Sequence, residues 1–182
     1  MIYIFDLDHT VIDSSHRQNF NSDGSLSLDQ WRENCTAGKI MQDKLLPLAS
    51  LMRSVYKSGH TVVINTARVI STHDKAYLGA NGLRYHLLLS RDGDLDQRSD
   101  AHLKYAKLME MCKHFDISIK RMARTSVFYD DNLNVLAMAK SLGILTKFAP
   151  EINAKMNKYG QVWPTTLAKN TVQLNFKLTR KA

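Results

Sequence analysis

Residues 2–11 of this chain read Ile-Tyr-Ile-Phe-Asp-Leu-Asp-His-Thr-Val, and this stretch decides the fold. Its first four residues are apolar or aromatic without alternation, which is typical of a strand buried on both faces of a parallel sheet. The run ends abruptly in Asp6 and Asp8, so we expect two carboxylates at the carboxyl end of the first strand. Ligands of open parallel sheets bind outside such strand ends. The stretch therefore predicts a buried sheet with a polar site at its edge.

Strand and helix patterns alternate along the rest of the chain. Apolar or β-branched runs predict further strands over residues 61–65, 85–89, 125–129 and 144–148. Apolar residues at helical spacing predict helices over residues 28–34, 45–55, 72–81, 101–115 and 132–142. Such alternation implies an α/β fold with a mainly parallel sheet and helices on both faces. After Pro150 the periodicity weakens, which leaves open a helix with an extended segment or partial disorder.

The composition is that of one ordinary globular domain. The chain has 182 residues, of which 44% are hydrophobic and 23% charged, and it contains only 8 Gly and 3 Pro. No apolar run approaches the roughly 20 residues of a membrane-spanning helix, and the first residues do not resemble a secretory signal. Cys35 and Cys112 lack metal-type spacing and favour a reduced compartment. We therefore expect a cytoplasmic protein without a membrane partner.

The charge is strongly basic and unevenly distributed. Lys and Arg number 25 against 17 Asp and Glu, which gives a net charge of +8. Residues 150–182 alone hold six basic residues and one acidic residue. Such a basic segment favours a polyanionic partner, with nucleic acid first. A solvated tail that aids solubility is the alternative.

Polar residues of unusual type fall at four successive strand ends. Asp6 and Asp8 follow the first predicted strand, and Thr66 follows the second. Lys104 lies in the helix after the third strand, and Asp130 with its acidic neighbour at position 131 follows the fourth. Each alone is most often a helix cap or a solvated surface residue. Because they arrive in order at one edge of the predicted sheet, together they indicate a catalytic site.

These residues resemble the four motifs of the haloacid dehalogenase (HAD) superfamily. Asp-Leu-Asp-His-Thr-Val at 6–11 is similar to the first motif, and Thr66 within Ile-Asn-Thr-Ala-Arg to the second. Lys104 resembles the third motif, and Tyr-Asp-Asp-Asn at 129–132 the fourth. The resemblance covers residues 1–150. It implies a HAD-like Rossmannoid three-layer sandwich with a mainly parallel central sheet, a small cap insert at about 14–44, and a basic C-terminal extension over 151–182.

The resemblance also implies a mechanism and a cofactor. Asp6 is expected to be the nucleophile that forms an aspartyl-phosphate, and also a ligand of Mg²⁺. Asp8 is expected to protonate the leaving oxygen and then deprotonate water, with its backbone carbonyl on the metal. Asp130 is expected to complete the metal ligands. The need for a cation has a physical reason, since an anionic nucleophile must approach an anionic phosphate ester and the crowded carboxylates repel one another.

The remaining motif residues are expected to bind the substrate or support the site. Thr66 and Lys104 hold the phosphoryl oxygens in this scheme. Asp131 supports the site in one of three ways: through a metal-bound water, by orienting the lysine, or by capping the next helix. His9 stands where many relatives have a small residue. Its ring is expected either to face solvent or to touch the leaving group.

One further likeness bears on the substrate. Arg-Asp-Gly-Asp-Leu-Asp-Gln-Arg-Ser-Asp-Ala-His-Leu-Lys at 91–104 resembles the segment before the third-motif lysine in the 3′-phosphatase domain of phage-type polynucleotide kinase-phosphatases. No P-loop of the form G-x-x-x-x-G-K-[ST] occurs, so a kinase activity is not supported. The substrate-binding residues that the likeness implies are Thr66, Ala67, Arg68, Arg98 and Lys104.

The small insert favours an open cleft that admits a polymer end. Six basic residues are predicted to line a groove for a phosphate backbone: Arg17, Arg32, Lys39, Arg68, Arg91 and Arg98. Phe20 and Trp31 are candidates for stacking on a terminal base. The alternative for both is a small core within the cap, which is the favoured role for Trp31.

Three hypotheses follow for the function. The first is a Mg²⁺-dependent phosphomonoesterase that removes 3′-phosphates from nucleic-acid ends. The second is a nucleoside monophosphatase, which uses the same four motifs. The third is a catalytically idle HAD-fold module that binds nucleic acid or protein through its basic tail. The motifs do not separate the first two, and they leave the oligomeric state open.

Overall fold

A parallel five-stranded sheet forms the centre of the protein in the computed structural model, which describes residues 1–160. The sheet has the strand order β5-β4-β1-β6-β7, and every neighbouring pair is parallel. The strands of the protein are β1 (Ile2–Phe5), β2 (Ile12–Asp13), β3 (Lys44–Leu45), β4 (Thr61–Val69), β5 (Leu87–Arg91), β6 (Ser126–Asp130) and β7 (Leu145–Phe148). The predicted parallel α/β fold is confirmed.

Helices cover both faces of this sheet. They are α1 (Leu28–Asn34), α2 (Ala37–Ile40), α3 (Leu48–Lys57), α4 (Thr72–Ala80), α5 (Asp100–His114), α6 (Ile119–Thr125), α7 (Leu133–Ser141) and α8 (Ala149–Tyr159). Buried side chains of α3, α4 and α8 form one core with the sheet, and those of α5, α6 and α7 form the other. Within residues 1–160, none of the helices has both the length and the apolarity to cross a membrane.

Strand β1 shows why the opening run of the sequence is apolar throughout. Ile2 and Ile4 face one core, while Tyr3 and Phe5 face the other. All four side chains are buried. The strand lies between β4 and β6, so both of its faces and both of its edges are covered. Asp6 follows the carboxyl end of this central strand, so it lies in the middle of that edge of the sheet.

The insert after β1 is a small cap on a two-stranded stalk. Strands β2 and β3 pair antiparallel, with Ile12 opposite Leu45 and Asp13 opposite Lys44. The segment between them holds a 3₁₀ turn over Ser15–Arg17 and the short helices α1 and α2. The stalk therefore fixes the small cap beside the carboxyl ends of the main strands.

Several parts of the fold differ from the sequence-based expectation. Strands β2 and β3 and helix α2 were not predicted, and β5 lies two residues later than the predicted strand over 85–89. Helix α6 was not predicted, because its residues are mostly polar and only Met122 is buried. Strand β4 continues to Val69, beyond the predicted residues 61–65. Near the end of the described residues, α8 spans residue 150, and its Asn153 and Met156 are buried. Most of the predicted basic extension, residues 161–182, lies outside the described residues.

Candidate active site

Side chains from three adjacent strands and one helix meet at the carboxyl edge of the sheet. Asp6 follows β1, Thr66 lies in β4 and Asp130 ends β6. Lys104, on the second turn of α5, places its Nζ 2.8 Å from Asp6 Oδ1 and 2.7 Å from Asp130 Oδ2. All four side chains are buried. The sequence motifs thus come together in space.

Three carboxylates form a cluster that fits a metal ion. Asp6, Asp130 and Asp131 each offer an oxygen, and these oxygens lie within 4.8 Å of one another. An all-oxygen donor set suits Mg²⁺. Asp131, for which only a supporting role was predicted, belongs to this cluster. The carboxylate of Asp8 lies outside it, and the predicted metal contact through its backbone carbonyl stays a prediction.

Negative charge in the cluster exceeds the positive charge that the protein supplies. Burial raises the pKa of Asp6 well above its usual range, against the attraction of Lys104, and repulsion from Asp130, Asp131 and Asp8 raises it further. Burial likewise raises the pKa of Asp130 and of Asp131. Burial would lower the pKa of Lys104, but Asp6 and Asp130 outweigh it and raise that pKa. One ammonium thus faces three carboxylates, an imbalance that a divalent cation would offset.

Asp8 turns toward arginine instead. Its carboxylate accepts hydrogen bonds from Arg68 Nε (3.1 Å), from a terminal nitrogen of the same guanidinium, and from the hydroxyl of Ser14. Burial alone would raise the pKa of Asp8, but the Arg68 charge and hydrogen bonds lower it to about 2. Asp8 is therefore ionised at neutral pH in this arrangement. While it is bound to Arg68 it is a weak base, so it would have to leave Arg68 before it accepts or donates a proton.

Arg68 is the centre of a buried ion-pair network. Besides Asp8, its guanidinium donates to Asp74 Oδ1 at 2.5 Å, and it lies 3.8 Å from Asp43 Oδ2. Asp43 in turn receives two hydrogen bonds from Arg17, at 2.9 and 2.7 Å. Arg17 is fully buried, so its predicted place in a surface groove is wrong. The network ties the cap to the catalytic edge of the sheet.

An irregularity in β4 shapes the substrate side of the site. Regular pairing with β5 stops at Asn65 and resumes at Val69, opposite Arg91. The three residues between include Thr66, whose Oγ1 accepts a hydrogen bond from the backbone N–H two residues later (3.3 Å). The carbonyl of Ala67 accepts from Arg91 Nε at 2.9 Å. The strand thereby presents three of the predicted binding residues, Thr66, Ala67 and Arg68, to the cleft.

The loop over residues 92–99 forms the opposite wall of the cleft. Arg98 pairs with Asp96 through two hydrogen bonds of 2.8 and 2.7 Å. From the cap, Arg32 Nε reaches across to Asp94 Oδ1 at 3.1 Å. This ion pair joins the cap to the loop. It bounds a cavity of about 820 Å³ that also contains Asp6, Asp8, Thr66 and Lys104 among its lining residues.

His9 lines the same cavity. Its backbone has φ 54°, a left-handed conformation that few non-glycine residues adopt. The ring nitrogen Nε2 lies 2.7 Å from the amide nitrogen of Gln18 in the cap. Because an amide nitrogen only donates, the imidazole accepts this hydrogen bond. His9 thus faces the substrate cavity and is held there.

Four residues that the sequence did not single out support the site. Ser14 and Asp74 hold Asp8 and Arg68, respectively. Asn65 donates to the carbonyl of Lys104 at 3.2 Å and so fixes the turn of α5 that carries this lysine. Asn153, on α8, binds the loop after β1. A Ser-x-x-Asp capping pattern marks Asp74 in the sequence, but the other three depend on tertiary contacts.

Comparison with known proteins identifies the family. The family model described as bacteriophage T5 5′-deoxynucleotidase matches residues 1–180 of this chain. The chain belongs to that family. A 5′-deoxynucleotidase of Escherichia phage T5 is 33% identical over 172 residues, which cover 84% of this chain and 68% of that protein.

Solved structures with a similar fold include HAD hydrolases. A chain in a Pnkp1/Rnl/Hen1 complex aligns with a TM-score of 0.57 and 21% identity, over 81% of this chain and 44% of that one. A HAD-superfamily hydrolase of subfamily IA from Geobacter sulfurreducens aligns with a TM-score of 0.56 and 12% identity, over 80% and 86%. This chain thus spans less than half of the Pnkp1 complex chain. The expectation of a HAD-like fold is confirmed by these structures, and the expectation of a phosphatase by membership of the 5′-deoxynucleotidase family.

Proposed function

We propose that this enzyme removes the phosphate of deoxynucleoside 5′-monophosphates, with Asp6 as the nucleophile. The observation that carries the proposal is the position of Asp6 in a bounded cavity, 2.8 Å from the Lys104 ammonium and beside two further carboxylates. Membership of the 5′-deoxynucleotidase family supports this substrate class. Of the sequence hypotheses, the nucleoside monophosphatase is therefore the one we favour.

In this proposal a carboxylate oxygen of Asp6 attacks phosphorus, and the bond to the 5′-oxygen of the nucleoside breaks. The leaving oxygen takes a proton from Asp8, which must first leave Arg68 and bind a proton from solvent water. Water then attacks the aspartyl-phosphate, and Asp8 accepts its proton as inorganic phosphate leaves. Covalent catalysis of this kind divides one difficult displacement into two easier ones.

Binding of the phosphoryl group is assigned to the cationic and hydroxyl side chains around Asp6. The Lys104 ammonium is held between two carboxylates. Lys104 lines the same cavity as Thr66, which lies in the irregular part of β4. Arg68 is 5% exposed but lines the cavity, so a phosphate oxygen could share its guanidinium with Asp8. The proposed roles of Ala67 and Arg98 are contacts from the two cavity walls.

The acidic cluster is proposed to hold Mg²⁺. Asp6, Asp130 and Asp131 supply the carboxylate oxygens, and Lys104 alone does not balance their charge. A bound divalent cation would neutralise the phosphate charge that otherwise repels the Asp6 nucleophile. The ion and Lys104 would then share the task of stabilising the anionic cluster.

A polymer end is the second candidate substrate, and the basic segment after Pro150 is the observation that favours it. The arginines predicted to line a phosphate groove have carboxylate partners, however. The pairs are Arg17–Asp43, Arg32–Asp94, Arg68–Asp8, Arg91–Asp100 and Arg98–Asp96. Cations that are already paired gain less on binding phosphate than free cations do, so a backbone groove receives little support from them.

A phosphate-release panel with Mg²⁺ tests the proposal. The substrates are deoxynucleoside 5′-monophosphates, the matching 3′-monophosphates, ribonucleoside 5′-monophosphates, and oligonucleotides that carry a 3′-phosphate. We expect the highest kcat/KM for the deoxynucleoside 5′-monophosphates. Asp6→Asn is the matched control for contaminating phosphatase. A higher kcat/KM for the 3′-phosphorylated oligonucleotide would overturn the proposal.

Charge neutralisation separates the polymer hypothesis further. Lys155, Lys158, Lys169 and Lys177 are changed together to Gln, and the last two lie outside the described residues. If these lysines bind backbone phosphates, each neutralised lysine should reduce the slope of log K against log salt for an oligonucleotide by roughly 0.7 to 0.9. We expect an unchanged slope and an unchanged kcat/KM for the mononucleotide. A clearly shallower slope would favour a polymer substrate.

A further inference from the structure

Helix α1 of the cap turns an apolar face toward the catalytic cavity. Leu28 and Trp31 lie three residues apart, so they share one side of the helix, and both line the cavity. None of the side chains of α1 is buried, and Leu28 is 58% exposed. Helix α1 has no buried face, so its exposed leucine and the neighbouring indole ring do not belong to a core. Exposed apolar side chains in a cavity favour the binding of a ligand.

The lining of the cavity therefore combines two kinds of chemistry. Asp6, Thr66 and Lys104 suit a phosphoryl group. Leu28 and the face of the Trp31 ring offer apolar surface instead. A ligand that uses both parts of the lining has an anionic group and a flat, weakly polar ring. A nucleotide has this form.

We propose that the Leu28–Trp31 face of α1 binds the nucleobase of the substrate. The inference rests on the proposed function and extends it, because it assigns base binding to the cap and phosphate binding to the sheet edge. In this arrangement the base packs against the leucine side chain and the indole while the 5′-phosphate reaches Asp6.

Two features hold this face in place before the substrate binds. The guanidinium carbon of Arg17 lies 4.6 Å from the centre of the Trp31 ring, and that of Arg68 lies at 5.6 Å. Both arginines are buried and ion-paired, so the indole rests on a fixed support. One residue after the tryptophan, Arg32 bonds to Asp94 across the cleft. A wall fixed in advance loses little conformational entropy on binding.

Comparison of a nucleotide with its base-free analogue tests the assignment. KM is measured for deoxythymidine 5′-monophosphate and for 2-deoxyribose 5-phosphate, in the wild type and in Leu28→Asp. The charged side chain removes the apolar contact and would have to be desolvated beneath the base. We expect the ratio of the KM for the nucleotide to the KM for the sugar phosphate to rise about tenfold. Because Leu28 is exposed, the substitution should leave the fold intact, and a thermal melt checks this.

Ile119→Asp is the matched control, because Ile119 is also a partly exposed aliphatic residue (43%) but lies outside the cavity lining. This variant should leave the KM ratio at its wild-type value. An unchanged ratio in Leu28→Asp, or an equal rise of both KM values, would overturn the base-binding assignment. Failure of the proposed function gives a different result, since the wild type would then release no phosphate from the nucleotide.

Discussion

Asn153, on the C-terminal helix α8, donates a hydrogen bond from Nδ2 to the backbone carbonyl of Thr10, at 3.0 Å. Its Oδ1 accepts from the backbone N–H of Leu48, at the start of α3, at 2.8 Å. One buried amide therefore joins α8 to the loop that carries Asp6 and Asp8 and to the helix that follows the cap. Helix α8 thus helps to hold the catalytic loop, although it lies about 140 residues later in the chain.

Replacing this amide should weaken both stability and catalysis. Asn153→Ala leaves a buried carbonyl and a buried N–H without partners, which costs about 1–3 kcal/mol for each group. We expect a lower free energy of unfolding in urea and a reduced kcat with a smaller change in KM. Asn157→Ala, at an exposed position of the same helix, is the control. Equal urea midpoints for the two variants would show that the Asn153 contacts contribute nothing.

Asp6→Asn should abolish turnover while the fold remains intact. The amide keeps the volume of the carboxylate but is not a nucleophile, and the loss of such a group lowers the rate by a factor of order 10³ or more. Because the substitution also removes one of three crowded carboxylates, the thermal midpoint without metal should not fall. Measurement combines initial rates with a thermal melt. A variant that kept a tenth of the wild-type activity would exclude the aspartyl-phosphate mechanism.

Mg²⁺ should raise the thermal stability as well as restore activity. EDTA should abolish phosphate release, and added Mg²⁺ should recover it. Because an ion that binds only the native state stabilises it in proportion to RT ln(1 + [L]/Kd), the midpoint of the melt should rise with Mg²⁺ concentration. Asp131→Asn should flatten this rise, since it removes a carboxylate from the cluster. An identical Mg²⁺ dependence in the variant would exclude Asp131 as a ligand.

The parts of the site that the sequence predicts are those with a local signal. Asp6, Thr66 and Asp130 stand at the ends of apolar runs, and the parallel topology alone brings strand ends together. The carboxylates that pair with the arginines have no such local signal in the sequence. Arg17 meets Asp43 only because the β2–β3 stalk brings the two ends of the cap together, so the sequence placed this arginine on a surface. Burial of a charge depends on tertiary contacts that periodicity does not encode.

Helix and strand boundaries follow the same principle. Helix α1 was predicted with its observed bounds, because Ser27 and Asp29 mark its beginning. The extension of β4 beyond Asn65 was missed because Thr66 and Arg68 interrupt the apolar run, and both of these polar residues line the substrate cavity. Polar residues that a site requires thus interrupt the apolar run from which a strand is predicted.

The last prediction concerns His86, whose side chain continues the β4–β5 ladder by one residue. The backbone N–H of His86 donates to the Val62 carbonyl at 2.8 Å, and its ring Nδ1 accepts from the Val62 N–H at 3.0 Å. The ring also lies against Tyr56, with 4.9 Å between ring centres. Burial lowers the pKa of His86, so the folded protein favours the neutral ring. Protonation at Nδ1 would also break the bond from Val62.

The sign of the pH dependence follows from this pKa. In the unfolded chain the pKa of His86 is about 6.5, and in the folded protein it is lower. Below pH 6.5 the unfolded chain therefore binds a proton more readily than the folded protein does, so the free energy of unfolding falls as the pH falls. Because His86 is partly exposed, contact with solvent reduces the size of this loss. His86→Asn keeps an acceptor near Nδ1 but does not titrate. Urea unfolding at pH 7.5 and 5.5 should therefore show a smaller loss for His86→Asn than for the wild type. His73→Asn, at an exposed position of α4, should behave as the wild type does. Equal losses in all three proteins would show that the pKa of His86 is the same in the folded and the unfolded state.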